Sequence, residues 1–325
     1  MYLVFDIGGT FIKHAVMNES GERIEKDKFP TPNRHDDTMK NFIDAIGTVY
    51  DSYKDRYELE GIAVSVPGQV DVERGIVYGG GCLPYLDRTN VEKNMSRRCG
   101  GLRVTLENDA KCAALAETWI GNAKDCKSSF VVVFGTGVGG GLVIDGKIHR
   151  GQDMAAGEIS FLLDTITMDD LPKIRPIEEL MTAEEFEDFP QGFWNNQVSM
   201  MSLRNRICEA KKMEYEEVTG ELIYEWAAAG DQFVIDTLEE QYLAVAKQLC
   251  NFYALFAPEI ILVGGGISAQ PKFMEGITRY VNQLKQMSRI FRSMKVDVCR
   301  FRNDSNLIGA LYNYLQLTGK LGCVK

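Results

Sequence analysis

The chain has 325 residues, a formal net charge of −10 and 45% hydrophobic residues. That length commonly divides into two domains, and an acidic balance without any Lys/Arg block speaks against a nucleic-acid partner. The longest apolar runs, Phe130 to Phe134 and Ile260 to Val263, are strand-length and far short of a membrane span.

The sequence opens directly on a strand, which leaves no room for a signal peptide, so the expected compartment is the cytoplasm. The eight cysteines contain no Cys-x-x-Cys clip, and His14, His35 and His149 do not cluster with them. Reduced thiols are expected, and no structural zinc.

Tyr2 to Phe5 reads as a short apolar strand. Asp6-Ile7-Gly8-Gly9-Thr10 follows as a tight turn, then Phe11 to Met17 and Arg23 to Phe29 as two more strands. Strand, glycine turn, strand differs from the strand, glycine loop, helix of a Walker or dinucleotide site. Glycines let the backbone approach a ligand and point bare N–H groups at it. Thr10 adds a hydroxyl, Lys13 a cation, and Asp6 a carboxylate suited to Mg²⁺, held through water. Taken alone, the stretch is more simply an ordinary hairpin turn.

A helix is expected from about Asp37 to Tyr57. Gly61 to Val66 is a buried strand ended by Pro67-Gly68, and a glycine-rich loop runs from Tyr78 to Pro84 through Gly81. Both loops are expected to face one crevice. Val104 to Leu106 reads as the end of a strand. From Ala110 the apolar residues Cys112, Leu115, Ala116 and Trp119 fall at helical spacing. Glu107, Asn108 and Asp109 therefore stand where a strand turns into a helix, and in an α/β protein that place faces the ligand crevice. Asp109 is the candidate catalytic base, and Asn108 the candidate substrate holder beside it. The competing reading is a plain helix N-cap. It lacks a capping box, since Lys111 and Cys112 occupy the partner positions.

The hairpin recurs later. Phe130 to Phe134 is a strand, Gly135-Thr136-Gly137-Val138-Gly139-Gly140-Gly141 a turn, and Leu142 to Ile144 a strand. A third glycine turn, Gly264-Gly265-Gly266, follows the strand Ile260 to Val263, and Pro271 suits the first turn of the next helix. Together these predict a duplicated α/β fold that clamps a nucleotide. Glu158, among the small residues of Gly151 to Phe161, stands where a ligand can approach or where a glutamate is merely solvated. Residues 165–196 read as an irregular insertion with one short helix near Pro176 to Met181. A lid and a surface excursion both fit it. Ser199 to Met213, Glu221 to Ala229, Asp231 to Phe256, Pro271 to Met287 and Asn306 to Leu317 read as helices, and Val296 to Cys299 as a strand.

These stretches resemble the ROK sugar kinases of the actin/hexokinase/heat-shock-70 fold. The matching motifs are DIGGT at Asp6 to Thr10, SVPGQVD at Ser65 to Asp71, ENDA at Glu107 to Ala110, FGTGVGGG at Phe134 to Gly141, AAGEIS at Ala155 to Ser160, and LVGGG at Leu262 to Gly266. NDSNLIGAL at Asn303 to Leu311 fits the family's end. The resemblance implies a duplicated ribonuclease-H-like fold with two domains around a central cleft. The expected division is residues 1–107, joined by a closing helix over about 306–325, and residues 108–305.

It also implies roles. Asp109 matches the family's catalytic base, while Asn108 and Glu158 match residues that hydrogen-bond sugar hydroxyls. Pro67, Gly68 and Gly81 complete the expected sugar-binding set. Asp6, Gly8, Gly9, Thr10, Lys13, Gly135, Thr136 and Gly137 match the phosphate side, and Gly264, Gly265 and Gly266 the adenosine side of ATP. Magnesium is the implied ion and a homodimer the implied assembly.

Two departures stand out. Most members continue Gly-Glu with a histidine that binds the sugar and a zinc ion held by a cysteine-rich segment. Here the position is Phe161, and that segment is absent. In this the chain is similar to the zinc-less bacterial β-glucoside kinases, as it is at Gly79 to Gly81 and Val218 to Ile223. The expected reaction is transfer of the γ-phosphoryl of ATP to O6 of a glucose ring, in a β-glucoside disaccharide such as cellobiose. A glucokinase or an N-acetylmannosamine kinase is the alternative. A sugar-sensing transcriptional regulator or a non-catalytic sensor is the alternative of another class. The expected start at the DIGGT strand, without a helix-turn-helix, disfavours the regulator.

Overall fold

The computed structural model describes residues 1–32, 38–81, 83–176, 192–301 and 304–321. The first half opens with β1 (Tyr2–Ile7), β2 (Phe11–Met17) and β3 (Arg23–Pro30). Helix α1 (Met39–Tyr53) follows, then β4 (Gly61–Val66). The short strands β5 (Gln69–Asp71), β6 (Ile76–Tyr78) and β7 (Thr89–Asn90) form a small separate sheet. Helix α2 (Val91–Arg98), β8 (Val104–Asn108) and α3 (Asp109–Ile120) complete this half.

The second half repeats the pattern. Strands β9 (Ser129–Phe134), β10 (Val138–Ile144) and β11 (Lys147–His149) come first. Helices α4 (Asn195–Val198), α5 (Met200–Lys211), α6 (Gly220–Ala228) and α7 (Gln232–Phe256) follow. Then come β12 (Ile260–Gly264), α8 (Pro271–Leu284), β13 (Val296–Val298) and the closing α9 (Ser305–Leu317).

The two main sheets carry one topology twice. Their strand orders are β3-β2-β1-β4-β8 and β11-β10-β9-β12-β13. In each, three antiparallel strands lead into two parallel ones. The expected duplicated α/β fold is therefore present, and the first two glycine turns occupy equivalent hairpins, β1–β2 and β9–β10. Every residue of β1, β4 and β8 is buried. Helices cover both faces of such strands, which is why they read as continuous apolar runs instead of alternating ones.

Helix α3 lies between the two halves. On one side it packs on β10, where side chains at Gly139 and Gly141 would press on Ala110 and Ala114. On the other side it crosses α9 at Gly309, where a Cβ would collide with the carbonyl of Cys112. Buried residues of α3 join two clusters, Cys112 and Ala116 with Tyr2, Leu311 and Leu315, and Ala113, Ala114 and Leu115 with Val131 and Leu262. Larger cores lie in each half, one filled by Leu3, Phe5, Phe42 and Val64, the other by Phe130, Phe134, Phe252 and Phe273.

Several expected boundaries move. Helix α1 starts at Met39, after the N-cap Thr38, and ends at Tyr53. The strand at 104 does not stop at Leu106 but continues to Asn108, and α3 begins at Asp109 with no intervening turn. Helix α8 gives way at Leu284 to a 3-10 turn through Met287. The helix expected near Pro176 to Met181 falls almost wholly outside the described residues. No described helix is long and apolar enough to cross a membrane.

Gly309→Ala should destabilise the fold by about 1–3 kcal/mol, the usual cost of overpacking a close contact. A urea melt monitored by circular dichroism measures it. An unchanged midpoint would mean that the α3–α9 crossing has slack.

Candidate active site

A cavity of about 530 Å³ opens where the two glycine hairpins meet the N-terminus of α3. Gly8, Gly9 and Thr10 line it from the first hairpin, and Gly135, Thr136 and Gly137 from the second. Pro67 and Gly68, just after β4, form another wall, and Asn108, Asp109 and Glu158 face the same space. Residues 150 positions apart in sequence thus converge because the duplicated sheets present equivalent turns to one cleft.

Asn108 is the N-cap of α3 and a cavity residue at once. Its Oδ1 accepts from the Lys111 N–H at 3.1 Å. Its Nδ2 donates to the Gly68 carbonyl at 3.0 Å and to Asp109 Oδ1 at 3.1 Å. The cap and the ligand-facing reading do not exclude each other, since Oδ1 keeps a second lone pair after accepting from Lys111. Asp109 Oδ1 also accepts from the Ala110 N–H at 2.8 Å.

The helix N-terminus suggests a carboxylate held in its ionised form. The opposite holds. Burial pushes the Asp109 carboxyl up to about 6, and the charges of Asp6 and Glu158 push the same way. The Ala110 N–H and the Lys111 ammonium oppose them. Asp109 is only half-buried by exposed area, yet protein crowds it densely, so desolvation outweighs the helix end.

Three further carboxylates surround it, each with a cation. Asp6 pairs with Lys13 at 3.0 Å, because the β1–β2 register sets the two residues opposite each other. Asp6 Oδ1 accepts from Asn306 Nδ2 at 3.0 Å and from the Ser65 hydroxyl at 3.3 Å. Both its oxygens are committed, so Asp6 fits a magnesium site only through intervening water, unless Lys13 moves away. Glu158 Oε1 accepts from the buried Lys111 ammonium at 2.7 Å. Glu107, fully buried, receives Arg150 through Nε at 3.0 Å and Nη2 at 2.5 Å. Arg150 Nη2 also donates to Asn313 Oδ1, and Asn313 Nδ2 to the Leu106 carbonyl.

Not every expected site residue reaches the cavity wall. Asp6 and Lys13 lie beneath the first hairpin. Gly81 would place a Cβ 3.3 Å from Pro67, so it backs the wall without forming it. Gly264, Gly265 and Gly266 also stand off. Gly265, at φ +90°, presses on the backbone of Phe134 just before the second hairpin. Sequence reasoning assigned no role to Asn306, which lines the cavity, nor to Lys111 and Arg150. It also passed over Asn195, whose Oδ1 accepts from the Val138 N–H at 3.0 Å and fixes the second hairpin. Asn195 sits at the end of the stretch read as an irregular insertion, where periodicity carries no signal. Among the described residues no three His, Cys, Asp or Glu side chains converge on a metal position.

The sequence matches the ROK family over residues 2–316. The chain belongs to the ROK family. Its ROK relatives include a β-glucoside kinase of Listeria monocytogenes, 30% identical over 318 residues that span 96% of each chain. A ROK family protein from Streptococcus pneumoniae, solved with sucrose, superposes with a TM-score of 0.80 at 28% identity, covering 98% of this chain and 99% of that one. A ROK glucokinase from Streptomyces griseus, solved with glucose and AMPPNP, has a TM-score of 0.75 at 24% identity over 95% and 98% of the two chains, a likeness of fold.

A raised carboxyl pKa has a stability consequence. Between the unfolded value near 3.8 and the folded value of about 6, the native state holds the proton that the unfolded chain releases. Stability from this group is therefore fullest at low pH and falls as pH rises through that window, by up to about 3 kcal/mol. Asp109→Asn keeps an Oδ1 acceptor without the charge. It should melt higher than the native protein at pH 8, with the gain shrinking as pH falls through 6. A gain that is absent, or the same at every pH, would contradict the buried-carboxylate account.

Proposed function

We propose that the chain is an ATP-dependent sugar kinase that phosphorylates O6 of a glucose ring carrying a β-linked substituent. The observation that carries this reading is Asp109, a carboxyl tuned to about 6 at the meeting point of two glycine hairpins. A base with a pKa near working pH is largely ionised yet still able to hold a proton. In the proposed reaction the sugar oxygen bonds to the γ-phosphorus, the bond from that phosphorus to the β,γ-bridging oxygen breaks, and the hydroxyl proton passes to Asp109. ADP leaves with the bridging oxygen. Such transfer needs positioning and charge neutralisation more than covalent help. The N–H groups of Gly8 to Thr10 and Gly135 to Gly137 would hold the phosphates, and Gly264 to Gly266 the adenosine side. Asn108 and Glu158 would hold sugar hydroxyls, with Pro67, Gly68 and Gly81 shaping the wall behind the ring. Magnesium, when bound with the nucleotide, would neutralise phosphate charge, with Asp6 reaching it through water.

The acceptor is argued from Phe161. It lies three residues past Glu158 and is 63% exposed, with its ring edge-on to Phe193 at 5.8 Å. Plain core packing does not describe a side chain so open to solvent. An apolar ring face is what the C–H face of a second sugar stacks on. The β-glucoside kinase relative and the sucrose-bound ROK neighbour support a pocket that admits more than one ring. The proposal extends to a cytoplasmic homodimer without bound zinc.

Two measurements test this. Asp109→Asn should lower kcat roughly 10²- to 10⁴-fold, the range for a positioned general base, while ATP binding changes little. A variant with near-native kcat would remove Asp109 from the mechanism. In a sugar panel, cellobiose should exceed glucose in kcat/KM by at least about tenfold, or roughly 1.4 kcal/mol of transition-state binding. Phe161→Ala should erase that preference while sparing glucose. If glucose or N-acetylmannosamine outperforms every β-glucoside, the acceptor is wrong and only the sugar kinase stands.

A further inference from the structure

The reaction as described leaves one buried charge unused. Lys111 is 1% exposed and ranks among the largest fully buried side chains. It sits two residues after Asp109 in the first turn of α3, and its stem runs beneath the glycine strand β10. A Cβ on Gly141 would approach the Lys111 Cα to 3.4 Å. Its ammonium donates to Glu158 Oε1, which leaves Oε2 of that half-buried carboxylate for a ligand.

We propose that Lys111 is a positioning residue whose ammonium lets Asp109 and Glu158 be ionised at the same time. Two carboxylates facing one small cavity repel, and without a counter-ion they share a proton. A protonated Glu158 loses half of its acceptor capacity, and a protonated Asp109 cannot take the sugar's proton. The proposal rests on Asp109 being the base.

The surroundings leave no other cation for this task among the described residues. Asp6 on β1 is matched by Lys13, and Glu107 on β8 by Arg150. Strands β4, β9 and β10 and helix α9, all packed near α3, carry no charged residue. Strand β11 adds Lys147 and His149, both exposed. The Lys111 charge acts on Asp109 in the expected sense, drawing its pKa down, while Glu158 draws it up.

The test is the acid limb of kcat/KM against pH, which reports the free enzyme's base. Lys111→Met removes the charge and keeps most of the volume. Its limb should move up by about one pH unit or more, the size of effect a neighbouring charge produces. Glu158→Gln should move the limb in the opposite direction, because Lys111 then acts on Asp109 unopposed. Lys111→Arg should leave it in place. Should Lys111→Met fail to fold, the double variant Lys111→Met/Glu158→Gln removes both charges, and its limb should lie between those of Glu158→Gln and the native protein. A merely structural ion pair predicts lower stability with the Lys111→Met limb at the native position and the double variant's limb at that of Glu158→Gln, and either result overturns the proposal. Native-like kcat in Asp109→Asn would instead sink the base assignment itself, which is a separate failure.

Discussion

The cleft depends on how closely α3 can approach its neighbours. Where α9 and β10 face it they present glycines, Gly309 to the Cys112 carbonyl and Gly139 and Gly141 to Ala110 and Ala114. A helix wedged this tightly cannot shift without shifting both sheets. Its first residue is Asp109, so the point of closest packing also fixes the carboxylate that faces the cavity. Desolvation follows from the same crowding. Tight packing and a raised pKa are thus one cause with two effects.

Charge around that point is arranged in pairs. Asp6 with Lys13, Glu107 with Arg150 and Glu158 with Lys111 each neutralise one another. Asp109 is the remaining carboxylate, and no cation lies within ion-pair distance of it among the described residues. Buried acids in a stable fold are normally paired. On the proposed reading, an unpaired one at the mouth of a cavity is what receiving the sugar's proton requires, and the fold gives up stability to keep it there. The Glu107–Arg150 pair adds a mechanical role. Glu107 Oε1 accepts the Asn108 N–H while Oε2 holds Arg150, and Asn313 ties Arg150 to α9. Strand β8, the loop after β11 and the closing helix are locked together directly behind the cavity-facing residues.

The sequence carried much of this. Repeated strand–glycine–strand units announced the duplication, since glycine turns are local features that a sequence displays openly. Asp109 stood out because the period changes from strand to helix at that point. What stayed hidden was non-local. Nothing near Lys111 marks it as buried, because its partner is 47 residues away. Asn195 and Asn306 act through contacts made only once the hairpins are in place. The small β5–β7 sheet and α2 were missed because short, polar elements such as Val91–Arg98, which buries only Val91 and Met95, show little periodicity. The Asp109 pKa is not legible in the sequence for a related reason. The helix end is visible in sequence, but the burial that outweighs it comes from residues brought near only by folding, such as Asp6 and Glu158.

On the proposed reading two surfaces meet the substrate, the cavity around Asp109 and the exposed ring of Phe161 three residues past Glu158, and they obey different physics. Around Asp109, a lone pair on Asn108 Oδ1 and Oε2 of Glu158 have no partner among the hydrogen bonds that the two side chains make with described residues. A ring lacking a matching hydroxyl would strand them, and stranded buried polar groups discriminate strongly. Phe161 itself is open and aromatic, offering area without fixed direction. Such a platform adds affinity for any apolar ring face but rejects little. On the proposed reading, discrimination is therefore strict for the ring that receives the phosphoryl group and loose for whatever is attached to it. Preference for a disaccharide over glucose then reflects added contact, not exclusion of the smaller sugar.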